Sequence, residues 1–186
     1  MLVVDAEDTF TAMLHHRPRS LGLAVTVRRF GEPCPLDDHD LVVPGPGPGD
    51  PRDTGHPKAA RLGAPADTLP AGHRPFPAVC FSHQVLCDRL GFELVRRKAP
   101  DQGTRREIDL FGARESVGFH NPFAARARED KVECEGVGTV EVSRDRDTVE
   151  VHAPRGPRFA SVQFHAESVL TRDGGCIIAG LLADLV

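Results

Sequence analysis

No stretch of this 186-residue chain approaches the roughly 18 consecutive apolar residues that a bilayer-spanning helix needs, so a membrane-embedded protein is not expected. The opening MLVVDAEDTF has no basic segment ahead of its apolar run and meets an acid at Asp5, which argues against a secretory signal. Basic excess is missing too. Lys and Arg number 23 against 27 Asp and Glu, and the net charge of -4 has the wrong sign for a general nucleic-acid or anionic-membrane surface. Short basic clusters such as Arg96-Arg97-Lys98 and Arg105-Arg106 read as solvated faces. No CxxC pair occurs among the five cysteines, Cys34, Cys80, Cys87, Cys134 and Cys176. Their odd number and wide scatter support neither a disulfide framework nor a zinc site, and a reducing, cytoplasmic setting fits best. His15 and His16 are sequence neighbours and point apart on any regular element, so no metal is expected there. The PGPGPG loop lacks the Lys-Ser/Thr ending of a phosphate loop, and no cofactor is expected.

What remains is a chain of one-domain length with 40% hydrophobic and 27% charged residues, ordinary for a globular protein with a proper core. No internal repeat or inter-domain linker is visible. The apolar run Leu2-Val3-Val4 predicts a strand, and EDTFTAMLHH a helix with Asp8 or Thr9 as cap. LAVTVRRF alternates as a second strand, and DLVV is a short apolar run before the Pro/Gly loop at 44–49. A helix is expected over Lys58–Leu62, with Pro65 and Pro70 breaking its continuation. PFPAV predicts a strand and SHQVLCDRLG a helix stopped at Gly91. FELVRR, REIDLFG and ESVGFHNPF follow as strands and turns. GVGTVEVSRD and TVEVHAP read as a hairpin pair, RFASVQFHAES as a last apolar strand, and CIIAGLLADLV as a closing helix. Helices alternating with strands in the first half imply βαβ units and a parallel sheet, mixed further on.

Three loops fall where strands of such a sheet end, which is where open α/β sheets place their ligands: the Pro/Gly loop, the turn at Cys80, and FHAES. A free cysteine is usually a small core residue. Cys80, however, stands between an apolar strand and a helix, the arrangement of a nucleophile elbow, where helix N–H groups and the helix dipole favour a thiolate. His165 and Glu167 are two apart in an apolar, apparently extended segment, so both side chains can project to one side. Glu167 would then orient the imidazole that serves Cys80. Alone, a His-x-Glu pair is more often an exposed strand face; the Cys-His-Glu set with an elbow and a Gly-rich loop is stronger together. Cys87, two helical turns after Cys80, reads as packing, and His83 as a structural hydrogen-bonding residue.

VVDAEDTF, PGPGDP, VCFSHQ and QFHAES, in that order and spacing, resemble the class I (triad) glutamine amidotransferases over nearly the whole chain. That resemblance implies one domain over residues 1–186 with a three-layer, flavodoxin-like α/β fold: a mostly parallel central sheet flanked by helices. It implies Cys80 as nucleophile, His165 as general base and acid, and Glu167 as its orienting partner. Backbone amides of Gly47 and Phe81 would form the oxyanion hole, and Gly49, Gln84, Asn121, Pro122 and Phe123 would hold the substrate. The implied substrate is L-glutamine, with ammonia handed to a synthase subunit or domain that uses chorismate. SHQVL, DLFG, VGF with FAAR, and RGPRFASVQFHAESVLTRDG look closest to the glutaminase part of phenazine-type aminodeoxyisochorismate synthases, with anthranilate synthase components as near relatives. Ala166, where proline is usual, fits the same group. Four residues depart from the family pattern in ways that touch the site: Ser82 in place of glycine, the bulky Phe81, His120 where an aromatic ring is usual, and Pro122, which has no N–H. Two other readings share these residues: an inactive interaction subunit of such a synthase, and a cysteine hydrolase acting on other γ-glutamyl amides.

Overall fold

The computed structural model describes residues 1–33, 36–71, 74–183 and 185. Its strands are β1 (Leu2–Asp5), β2 (Thr26–Arg29), β3 (Val42–Pro44), β4 (Phe76–Val79), β5 (Glu93–Arg96), β6 (Thr104–Leu110), β7 (Ala113–Phe119), β8 (Phe123–Arg126), β9 (Lys131–Cys134), β10 (Gly138–Arg144), β11 (Val151–Gly156) and β12 (Phe159–Val162). The helices are α1 (Thr11–Ser20), α2 (Pro57–Asp67), α3 (Phe81–Arg89) and α4 (Gly174–Ala183). Two ladders make the central layer: β2-β1-β3, all parallel, and β4-β12-β11-β10-β9, parallel between β4 and β12 and antiparallel beyond. β3 lies beside β4, so the two run on as one layer.

Two prolines explain why that layer divides. The Phe76 and Cys80 N–H groups donate to Arg158 and Val162 on the β12 side. The intervening Pro77 therefore faces β3, where it has no N–H to give, and β3 itself ends in Pro44. The expectation of mixed sheet in the second half holds, and parallel pairing surrounds the strand ends that carry the candidate site.

Alternation along the strands sorts the helices into two outer layers. Leu2, Val4 and Val42 pack with Ala59 and Leu62 of α2 and Phe81 and Val85 of α3. Val3, Val43, Val79 and Val162 pack on the other face with Leu14 of α1 and Ile177 and Ile178 of α4. Each such aliphatic side chain contributes about 1.5–3 kcal/mol on burial. Two smaller pairs, β5 with β8 and β6 with β7, complete the fold. The β6–β7 hairpin turns on Phe111 and Gly112, both at positive φ (52° and 93°), as a two-residue hairpin turn requires.

Several local expectations are corrected. α2 does not stop before Pro65 but runs to Asp67. Pro65 sits in the last turn, where it removes a single helical bond, while Pro57 starts the helix and His56 Nδ1 accepts the Lys58 N–H at 3.1 Å. α1 is not capped by the side chain of Asp8 or Thr9 in the expected way. Its N-cap is Phe10, and Asp8 Oδ1 takes the Phe10 N–H at 2.8 Å. β9, unanticipated, is four residues whose only sheet partner among the described residues is β10. Cys34 lies outside the described residues.

Two histidines are locked into this core without charge. His83 is fully buried between the Ser161 hydroxyl (2.8 Å) and the Cys87 sulfur (3.6 Å), and burial, with His152 adding, holds its pKa down to about 3. Burial, then the Arg106 cation, lowers His152 to about 4. Below the ordinary value of 6.5 the unfolded chain binds these protons and the folded chain does not, so unfolding free energy falls as pH falls. The expected result is a melting temperature whose dependence on these two groups is flat above pH 6.5 and declines from there toward 4, less steeply in His152→Leu; a pH series of thermal melts checks it.

Candidate functional site

Strand β4 runs without a loop into α3, and the residue between them is Cys80. Its backbone sits at φ 54°, ψ −103°, a region costing about 1–3 kcal/mol for a residue with a Cβ. The strain is held from both sides. Cys80 N–H donates to the Val162 carbonyl at 2.9 Å, and the Cys80 carbonyl accepts from Gln84 at 3.0 Å. Ser82, where a glycine would leave nothing, adds a third tie. Its hydroxyl accepts the Val79 N–H at 2.9 Å and donates to the Pro44 carbonyl at 2.6 Å, fastening the elbow to the strand that leads into the Gly-rich loop.

That loop is laid against β1 so closely that side chains are excluded. A Cβ on Gly45 would stand 2.5 Å from the Val4 carbonyl oxygen, and one on Gly47 would stand 2.5 Å from that of Ala6. Gly49, at φ 142°, lies over the Phe81 ring, with its Cβ position 3.1 Å away. The bulk of Phe81 is thus accommodated by packing against Leu62 and Val85 beneath Gly49. The Phe81 and Gly47 N–H groups have no hydrogen-bond acceptor among the described residues.

His165 follows β12 by three residues. Parallel pairing of Val79 with Val162 therefore brings it to the same end of the sheet as Cys80. The segment is not extended as its sequence suggests. Ser168 N–H donates to the His165 carbonyl at 3.1 Å, so His165 and Glu167 meet across a turn. His165 Nδ1–H donates to Glu167 Oε1 at 2.8 Å, both side chains about 1% exposed or less. The His165 backbone is held by Gly118, whose carbonyl takes its N–H at 2.9 Å, and by the Thr171 hydroxyl at 2.6 Å. Burial opposes a charge on the ring, but the neighbouring Cys80 and Glu167 carry its pKa up to about 10. These neighbours favour the protonated ring. The Cys80 sulfur also lies 3.7 Å from the His120 carbonyl oxygen.

The remaining expected residues line a rim beside α3. Gln84 donates both N–H groups of its amide, to the Phe123 carbonyl and to Gln163 Oε1, each at 3.0 Å, leaving its own oxygen without a partner among the described residues. Asn121 Nδ2 donates to the same Phe123 carbonyl at 2.7 Å. Asn121 also exchanges backbone bonds with Asp101, and the Pro122 carbonyl accepts the Arg97 N–H at 2.9 Å. Arg97 bridges Asp101 (2.8 Å) and Glu150 (2.9 Å), which makes this rim rigid. The Phe123 ring carries the Arg52 guanidinium at 4.8 Å. The side chains of Gln84 and Asn121 therefore build the rim, and Gln84 presents an acceptor only.

Not foreseen from the sequence was Phe10, whose ring, with that of His120, packs on His165 at centroid distances of 4.2 and 5.5 Å. The signal for Phe10 was its place in the VVDAEDTF block. Cys87 is buried, its thiol pushed up by that burial, and packs on His83 as expected. Among the described residues no group of three or more His, Cys, Asp or Glu is arranged to hold a metal ion. No described helix is long and apolar enough to cross a membrane.

Replacing Cys80 by alanine removes two of the influences that raise the His165 pKa and leaves burial opposed by Glu167 alone. The His165 ring of Cys80→Ala is expected to titrate at clearly lower pH than in the parent, read from its 15N chemical shifts.

Comparison with known proteins gives the same architecture and sequence pattern. The family model for glutamine amidotransferase class-I matches residues 2–184. "Anthranilate synthase, phenazine specific" of Pseudomonas fluorescens is 56% identical over 182 residues, 98% of this chain but 29% of that protein. The chain thus spans under a third of the length of that relative. "Aminodeoxychorismate synthase component 2" of Serratia marcescens is 30% identical, with 98% of both chains covered. The solved structure of a glutamine amidotransferase from Thermotoga maritima superposes with a TM-score of 0.66 at 17% identity, covering 89% of this chain and 75% of that one. With the family pattern matched from end to end and the α/β layers and strand-end loops in their places, this chain belongs to the class-I glutamine amidotransferases.

Proposed function

We propose that residues 1–186 form one glutaminase domain that hydrolyses L-glutamine and passes ammonia to a chorismate-using synthase subunit or domain. The observation that carries this reading is the strained Cys80 elbow beside an imidazolium held by Glu167. The relative named as a phenazine-specific anthranilate synthase, 56% identical, supports the aminodeoxyisochorismate or anthranilate type of partner.

In this reading the Cys80 thiolate attacks the side-chain amide carbon of glutamine. Charge develops on the amide oxygen and is received by the Gly47 and Phe81 N–H groups, rigid donors with no other acceptor. The carbon–nitrogen bond breaks as His165 gives its proton to the leaving nitrogen, and ammonia departs. His165, now neutral, takes a proton from water as it attacks the thioester, and glutamate leaves with Cys80 restored. Glu167 fixes the tautomer throughout. Gly49 leaves room above Phe81, and the Gln84 oxygen is an acceptor for a substrate N–H. Asn121, Pro122 and Phe123 wall the amino-acid end. Pro122 supplies no N–H, so backbone recognition there falls to its neighbours.

Purified chain with its synthase partner should release glutamate from glutamine, and Cys80→Ala should release none above background. A glutamine-analogue diazoketone should label Cys80 and fail to label His165→Ala. Glu167→Gln should lower kcat by about a hundredfold or more, since the wrong tautomer then faces the sulfur. Glutamate release unchanged in Cys80→Ala would sink the proposal.

A further inference from the structure

The DAEDTF segment holds three carboxylates, and none of them is hydrogen-bonded to the sulfur among the described residues. Asp5 Oδ1 accepts the Glu7 N–H and the Thr11 hydroxyl, both at 2.9 Å. Asp8 Oδ1 accepts the Phe10 N–H at 2.8 Å, and the Asp8 carbonyl takes the Thr11 N–H at 3.1 Å. Glu7 turns the chain at φ 67° and is anchored by Lys58 at 3.0 Å. This network does one visible thing. It fixes Phe10 at the N-cap of α1 with its ring 4.2 Å from the His165 ring, planes tilted by 35°. The His120 ring stands beside both, perpendicular to His165 at 88° and 4.9 Å from Phe10.

We propose that Phe10 is a positioning residue for the amide hydrolysis: its ring, set by the Asp5–Asp8 turn, stabilises the His165 imidazolium and fixes the plane in which that ring passes its proton. The inference rests on the glutaminase reading above. An aromatic face carries negative charge density, so it attracts the cationic form of a stacked imidazole more than the neutral form. That preference favours the thiolate–imidazolium pair before attack. The tilted stack also blocks rotation of a ring whose only side-chain hydrogen bond on the Nδ1 side is to Glu167. His120 must be neutral to share this cradle, and burial, with the His165 charge adding, lowers its pKa. The titratable groups around the pair are Cys80 from the β4–α3 elbow, Glu167 from the turn after β12, Asp8 from the β1–α1 turn and Asp101 from the segment before β6. A change at Phe10 alters none of them.

The test uses the full chain with Phe10→Met, which keeps volume without a π face, and Phe10→Tyr, which keeps the ring. Phe10→Met should lower kcat about tenfold with KM within about twofold, in line with a desolvated cation–π contact. Its His165 ring should titrate at lower pH by 15N shifts, while Phe10→Tyr keeps most of the rate and the parent titration. A slower Phe10→Met with unchanged His165 titration, or a rise in KM alone, overturns the proposal. Asp8→Ala, which touches neither ring, should move kcat and titration in the same direction by less; no movement also counts against it. If the parent itself releases no glutamate and takes no diazoketone label, the glutaminase reading fails. The His165 titration of Phe10→Met against the parent still decides the ring contact.

Discussion

The bond from the Cys80 N–H to the Val162 carbonyl is the constraint on which the rest of the site depends. It is the last rung of the parallel β4–β12 ladder, and parallel pairing makes both strands end on the same edge of the sheet. One strand delivers Cys80 and the other His165, 85 residues apart in the chain, to the same edge. An antiparallel pairing would have sent the two to opposite edges. The strained φ at Cys80 is tolerable because that rung, the Gln84 bond and the Ser82 hydroxyl determine the backbone from three directions.

Around this rung the site is built from close approaches that glycine alone permits and from aromatic rings that replace polar neighbours. Gly45 and Gly47 let the loop lie on β1, and Gly49 leaves space for Phe81. The bulk of Phe81 is therefore absorbed below the loop, and its N–H stays at the elbow. The imidazole of His165 is surrounded by a carboxylate, a sulfur and two rings, an environment that holds a proton despite burial. Ser82 has a positive role as well. It links the elbow to Pro44, at the seam where Pro77 and Pro44 leave the two ladders without the usual backbone pairing.

Much of this was legible in the sequence because the signals are local. A strand-like PFPAV followed directly by a helix marks an elbow, PGPGPG marks a loop of preset dihedrals, and His-x-Glu marks a candidate pair. The apolar run Leu2-Val3-Val4 announces a strand. Where prediction failed, the cause was a bond partner distant in sequence or a position effect within an element. Pro65 was read as a breaker, though in a last turn it removes one bond only. The turn between His165 and Glu167 depends on the Ser168 N–H and on Thr171, which an apolar run conceals. The bonds from Gln84 to Phe123 and Gln163, on separate elements, are likewise invisible in the sequence around it.

The sequence by itself determined the family, the candidate Cys80, His165 and Glu167 set, the Gly-rich loop and the packing role of Cys87, because each is a residue type at a fixed spacing. Tertiary structure alone decided which groups surround the imidazole. Phe10, Cys80, His120 and Glu167 come from four different segments, and no periodicity in any one of them reports where its ring, sulfur or carboxylate will meet the others. Meeting is fixed by strand order, by the direction of β12 beside β4 and by the bonded turn ahead of α1. These are properties of pairing between segments.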